Sequence, residues 1–207
     1  MVSRLILRCM QDSIQIIEKP EWVSWDDIHE LLWNAHAVNR EKGINMAFPS
    51  LPGDKIREKI EGKGKMFVAL DGKRLVGTAA VISKESSIWC GHENYGYCCF
   101  SAVLPEYAGR GIYKSFVHLQ EQEAVSMGID KMMFDSHELN RRVFEVNERN
   151  GYKAVDFSVW KDHYNIVMVK WLKGCPYSDI YCHCQFLLHK YYRKLRYKPG
   201  RIKRFGV

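Results

Sequence analysis

Val103-Leu104-Pro105-Glu106-Tyr107-Ala108-Gly109-Arg110-Gly111-Ile112-Tyr113-Lys114-Ser115-Phe116 is the stretch whose reading decides the fold. It takes a strand into a helix through a short glycine turn. Pro105 ends the strand because proline has no N–H to give to a ladder. Gly109 and Gly111 let the backbone take conformations that other residues resist, and let it come close to a ligand. A helix is expected from about Gly109 to Met127, and the first N–H groups of a helix have no partner within it. Aimed into one small space, those groups and the helix dipole suit a phosphate or pyrophosphate. Arg110 can add a charge at the rim.

Two common phosphate-binding patterns are excluded. A P-loop places Lys-Ser/Thr after its last glycine, and here Ile112-Tyr113 follow Gly111. A dinucleotide fingerprint needs a third glycine where Lys114 stands, within a parallel strand–helix–strand unit.

Around this turn the pattern alternates between strands and helices. Arg4–Cys9 and Ser13–Glu18 read as short strands. Ser24-Trp25-Asp26-Asp27 is a capping box, and helical spacing of apolar residues continues behind it to about Arg40. Residues 43–53 read as a loop and Asp54–Glu61 as a short helix. Lys65–Leu70 and Arg74–Ser83 flank Asp71-Gly72, a hairpin signal, and Tyr95–Leu104 is a third strand. Beyond the central helix, Lys131–Ser136 is a strand, Asn140–Asn150 a helix, and Tyr152–Trp160 and Ile166–Leu172 a strand pair. The fold class is mixed α/β (α+β): a central, mostly antiparallel sheet flanked by helices, with a basic helical extension at the C-terminus.

Composition fits a globular protein: 207 residues, 46% hydrophobic and 27% charged. The net charge of +7 is uneven. Residues 173–207 carry nine Lys and Arg against Asp179, a net +8, which leaves residues 1–172 at −1. A basic nucleic-acid-binding face over the whole domain is therefore not expected. The apolar stretch of Met1–Arg8 is too short for a secretory leader, so a cytoplasmic location is expected. The seven cysteines are read as reduced thiols. Cys175…Cys182-His183-Cys184 lacks the paired spacing of a zinc site, and no metal is expected.

Taken together, Val103-Leu104-Pro105 with Gly109-Arg110-Gly111, and Asn140…Asn147-Glu148-Arg149-Asn150-Gly151-Tyr152, resemble the two signature segments of the GNAT superfamily of acyl-CoA N-acyltransferases. The resemblance covers about residues 10–172. It implies a domain of that kind over residues 1–172 and an extension over 173–207. Two sequence departures stand out: Glu106 replaces the family's usual arginine or glutamine, and Asn147 replaces a tyrosine that can protonate the departing thiolate. The resemblance implies acetyl-CoA as donor, wedged between the strand ending at Leu104 and strand 131–136. Its pantetheine arm would add to the edge of strand 95–104, on main-chain groups of Ser101 and Val103. Its pyrophosphate would lie on the N–H groups of Gly109, Arg110, Gly111, Ile112, Tyr113 and Lys114, with Asn140 nearby.

The implied chemistry is attack of a neutral amine on a thioester, which needs a base, an oxyanion donor and a means for the thiolate to leave. Period-two geometry puts Tyr97, Cys99, Ser101 and Val103 on one strand face. Tyr97 occupies a position where some relatives carry a glutamate base. His137, with an ordinary pKa near neutrality, is a second candidate, and Glu93 could act through water. Asn147 could hydrogen-bond to sulfur. The expected reaction is N-acetylation of a small-molecule amine, such as an amino sugar, bounded by residues 34–53. The competing reading is a non-catalytic acyl-CoA-binding module.

From Ile180 the positions Ile180, Cys184, Leu187, Leu188, Tyr191 and Leu195 form an amphipathic helix with basic residues largely away from them. Three uses stay open for it: packing on the body, contact with an anionic membrane, and contact with an anionic ligand. A homodimer is also left open, and no nucleic-acid partner is expected.

Overall fold

A computed structural model describes residues 7–8, 14–44, 50–86, 93–160, 163–175 and 177–196. The expected extended segment Lys198–Arg204, part of the 43–53 loop and most of the opening strand lie outside these residues. The chain divides into two compact units, residues 1–129 and 130–207.

In the first unit, five antiparallel strands stand in chain order: β1 (Leu7–Arg8), β2 (Ile14–Glu18), β3 (Gly64–Asp71), β4 (Arg74–Ser86) and β5 (Glu93–Val103). The β3–β4 hairpin turns at Gly72, whose φ of 60° lies in the left-handed region. The helical run expected over 25–40 is interrupted at His36. It forms α1 (Trp25–Ala35) and α2 (Ala37–Glu41), and α3 (Gly53–Ile60) follows. The capping box forms as expected, with Ser24 accepting from the Asp27 N–H and Asp27 from the Ser24 N–H. Ile28, Leu31 and Leu32 of α1 and Ile56 and Ile60 of α3 pack with Val68, Leu70, Ala80 and Phe100 of the sheet. Burying an apolar side chain of this size contributes about 1.5–3 kcal/mol.

α4 (Ile112–Ser126) packs on β2 to β5. Its Phe116 approaches the hairpin strand so closely that a Cβ on Gly77 would lie 3.1 Å from the ring. Buried Gln120 donates to the Ala80 carbonyl at 2.7 Å.

β5 departs from the expected alternation. Thr78 pairs with Ala102 but Ala80 with Cys99, so β5 carries one extra residue at this point. Phe100 takes up the bulge with φ of 52°, the one left-handed non-glycine among the described residues. Beyond the bulge the strand's faces exchange. Tyr97, Cys99, Phe100, Ala102 and Leu104 all pack against the α1–α3 cluster. Ser101 and Val103 therefore do not share a face with Tyr97 and Cys99.

The second unit holds β6 (Lys131–His137), β7 (Lys153–Trp160) and β8 (His163–Trp171) in the antiparallel order β6-β8-β7, with α5 (Arg141–Arg149) and α6 (Asp179–Arg196). α6 packs on β7. The packed side of α6 is not the apolar stripe read from the sequence. It is the side bearing buried Cys182 and half-buried Phe186 and His189: Phe186 meets Phe157 edge-on, and the His189 ring lies 2.7 Å from the carboxylate of buried Asp156. Asp156 also accepts from the Phe157 N–H at 2.7 Å. A buried carboxylate needs such partners, and it draws the helix down by the face that supplies one.

Candidate active site

The glycine turn is built as a scaffolded opening. After β5 a single helical turn, Pro105–Tyr107, leads to extended Ala108. Gly109 and Gly111 follow with φ of 83° and 79°, and α4 begins at Ile112, three residues later than expected. The delay has a cause: Gly111 is the residue capping α4, and its left-handed backbone cannot be part of the helix. No side chain caps this end. A Cβ on either glycine would meet no atom within 4 Å, so the turn faces open space.

Side chains hold the turn from beneath. Tyr107 is buried and its hydroxyl donates to Asp71 at 2.9 Å. That hydrogen bond, then burial, raise the phenol above its ordinary pKa. Arg74 and Arg110 lie over the Tyr107 ring at 5.5 and 4.8 Å. Glu106, the departure from the family pattern, pairs with Arg74 at 2.7 Å. The negative charge beside the turn is thus compensated by the hairpin. Two left-handed glycines, an uncapped helix start and a neutralised acid fit a pyrophosphate well.

Further along β5, Tyr97 is half-buried, with the Lys84 ammonium 3.7 Å from its ring centroid and Tyr95 edge-on at 6.4 Å. Ser101 Oγ lies 3.5 Å from the Cys99 carbonyl across the bulge. The side chain of Glu93 is outside those described.

His36 was not singled out from the sequence. It sits at the α1–α2 break, where its Nδ1 lies 3.1 Å from the Asn39 amide. Its pKa falls to about 4, chiefly through burial; a hydrogen bond with the Ser101 backbone acts in the other direction, and nearby Arg40 lowers it further. The ring is therefore neutral at physiological pH and lies against β5 at the bulge. The available signal was a histidine inside the segment expected to bound the acceptor. Also in this unit is a cavity of about 340 Å³, lined by α1 (Asp27, Glu30, Asn34), the hairpin (Lys73, Arg74) and Leu104.

In the second unit, His137 is buried at the end of β6 and stacks on His163 with centroids 4.3 Å apart. Its Nδ1 accepts from the Leu139 N–H at 3.1 Å, which leaves the proton of the neutral ring on Nε2. Asn140 donates to Ser136 Oγ at 3.1 Å. Asn147 is 1% exposed and its amide donates to the Val143 carbonyl at 2.8 Å within α5. Its own carbonyl accepts from Asn150 and Tyr152, closing the helix. No group of three or more metal-ligating side chains occurs among the described residues.

Residues 25–152 match the Acetyltransferase (GNAT) family. The chain belongs to that family. It is an acyltransferase that uses acetyl-CoA. Solved structures share the GNAT fold at low identity. An acetyltransferase from Streptococcus agalactiae is 16% identical, covering 77% of this chain and 99% of its own, with a TM-score of 0.61. A putative acetyltransferase from Salmonella typhimurium, solved with its cofactor acetyl-CoA, is 14% identical over 80% and 98%, with a TM-score of 0.59. The ribosomal-protein-S18-alanine N-acetyltransferase of Escherichia coli is 13% identical over 78% and 96%, with a TM-score of 0.57. No curated protein matches by sequence. Among the described residues, no helix is long and apolar enough to cross a membrane.

Proposed function

We propose that this GNAT enzyme acetylates a primary amine of a small polar molecule, holding the donor's pyrophosphate on the N–H groups of Gly109 to Lys114. One observation carries the reading: two left-handed glycines, either side of Arg110, open the start of α4 to bare space, with Glu106 neutralised beside them. When bound, the donor supplies an electrophilic thioester carbonyl and a thiolate that leaves readily.

The chain's own groups supply the rest. The bulge at Phe100 interrupts the regular ladder beside Ser101, and main-chain groups of Ser101 and Val103 are the proposed contacts for the pantetheine arm. Neutral His36, its Nδ1 taken by the Asn39 amide and its ring held against the Ser101 backbone, fixes β5 at the bulge without placing a positive charge there, and no proton transfer is assigned to it. Tyr97 lines the same strand. The Asn147 amide is committed to Val143, so the reading assigns no proton transfer to that position. His137 accepts from the Leu139 N–H at the end of β6, and Asn140 holds the entry to α5 through Ser136. A small acceptor is favoured by the cavity of about 340 Å³, which is of metabolite size and carries both Glu30 and Lys73.

Thiol release from acetyl-CoA, measured with amino sugars, small polyamines and peptides with free N-termini, tests the reading. Turnover with small amines is expected to exceed that with peptides by at least tenfold. Turnover confined to peptides would overturn the assignment of the acceptor.

A further inference from the structure

α6 shows two apolar faces, and only one is used. With 3.6 residues per turn, Cys182, Phe186 and His189 fall on the side packed on β7. Opposite them, Ile180, Leu188, Tyr191 and Leu195 are 77%, 63%, 64% and 84% exposed, with Tyr181 and Tyr192 also open at the edge. At about 100° per residue, these six positions fall within roughly 120° of arc, a continuous stripe over about four helical turns. Scattered exposed leucines are ordinary, but a stripe of this length on one helix marks a contact surface.

Charge identifies what meets it. Residues 173–207 together carry a net +8 while the rest of the chain is at −1. Within α6, Lys190 lies over the Phe186 ring and Lys194 pairs with Glu138 at 3.4 Å, so the surplus charge is that of the segment as a whole. A second copy of the chain would bring two such tails together and repel. Nucleic acid would satisfy the charge and leave the stripe in water. An anionic lipid surface satisfies both at once: aliphatic side chains enter the acyl boundary, tyrosines sit at headgroup level, and lysines and arginines meet the phosphates. A bilayer also needs no complementary groove, which a convex helix face does not offer.

We propose that the outward face of α6, centred on Leu188 and Leu195, binds this enzyme peripherally to membranes rich in anionic lipid. The helix lies in the plane of the surface, its other face still packed on β7. This does not depend on the acceptor, because the stripe lies opposite the packed side of α6 and shares no residue with the glycine turn.

The test is flotation of the full chain with phosphatidylcholine vesicles, with and without about a third phosphatidylserine, at low and high salt. Wild type is expected to float with the anionic vesicles and to be released at least tenfold by high salt. L188S/L195S is expected to lose at least tenfold in partitioning while keeping the wild-type melting temperature and CoA affinity. Light scattering of both proteins covers the alternative occupant. Three results would overturn the proposal: no flotation of wild type with anionic vesicles, flotation indifferent to L188S/L195S, or a wild-type dimer that the double substitution dissolves.

Discussion

Replacing Gly109 by aspartate separates the two properties that the turn combines. At φ of 83° an L side chain costs about 1–2 kcal/mol of backbone strain. No clash adds to this, since no atom lies within 4 Å of the new Cβ. Gly109→Ala carries that strain alone. Gly109→Asp adds a carboxylate about 5 Å from a doubly charged pyrophosphate, which at near-water dielectric opposes binding by about 2 kcal/mol. That corresponds to about thirtyfold in Kd beyond the alanine variant. Isothermal titration with CoA measures it, and the excess should shrink in high salt. Acetyl-pantetheine lacks the phosphates and should bind both variants alike. Equal CoA affinity for the alanine and aspartate variants would refute the assignment of the turn. A loss extending equally to acetyl-pantetheine would show a disturbed fold instead.

Further outcomes follow from neighbouring contacts. Arg74→Ala leaves Glu106 uncompensated beside the turn and should weaken CoA binding severalfold in titration, whereas adding Glu106→Gln should restore it. Gln120→Leu strands the buried Ala80 carbonyl and should cost about 1–3 kcal/mol in urea denaturation, with little change in the m-value. His36 has a folded pKa of about 4 against an ordinary 6.5, so the unfolded chain binds its proton first as pH falls. Its contribution is intact above pH 6.5 and is lost progressively down to pH 4, about 3 kcal/mol in all. A stability–pH profile of His36→Gln should lack that component.

The glycine turn was legible because its chemistry is local: proline stops a ladder, and glycine alone takes left-handed backbone cheaply. The β3–β4 hairpin and the α1 cap were legible for the same reason. The bulge in β5 was not, since Cys98-Cys99-Phe100-Ser101 contains no glycine to announce it. What drives Phe100 into a left-handed conformation is burial against α1 and α3, which is a tertiary effect. That single residue exchanged the faces on which Tyr97 and Ser101 were expected together. α6 shows the complementary limit. Periodicity found an apolar stripe correctly but could not say that the buried Asp156 would attract the opposite side through His189. Asn147 was noticed as a departure from a motif, yet only its bond to Val143 shows that its amide serves the helix. Glu106 looked unfavourable in sequence because its partner, Arg74, lies thirty-two residues away.

Main-chain N–H groups at the start of α4 are the proposed receptor of the donor's pyrophosphate. Amide-resolved NMR of the nitrogen-15-labelled chain titrated with CoA tests that role most directly. The amides of Gly109, Gly111, Ile112 and Lys114 should shift downfield together as CoA saturates, and acetyl-pantetheine should leave them nearly unmoved. CoA binding at saturation with those four amides unshifted would contradict that role.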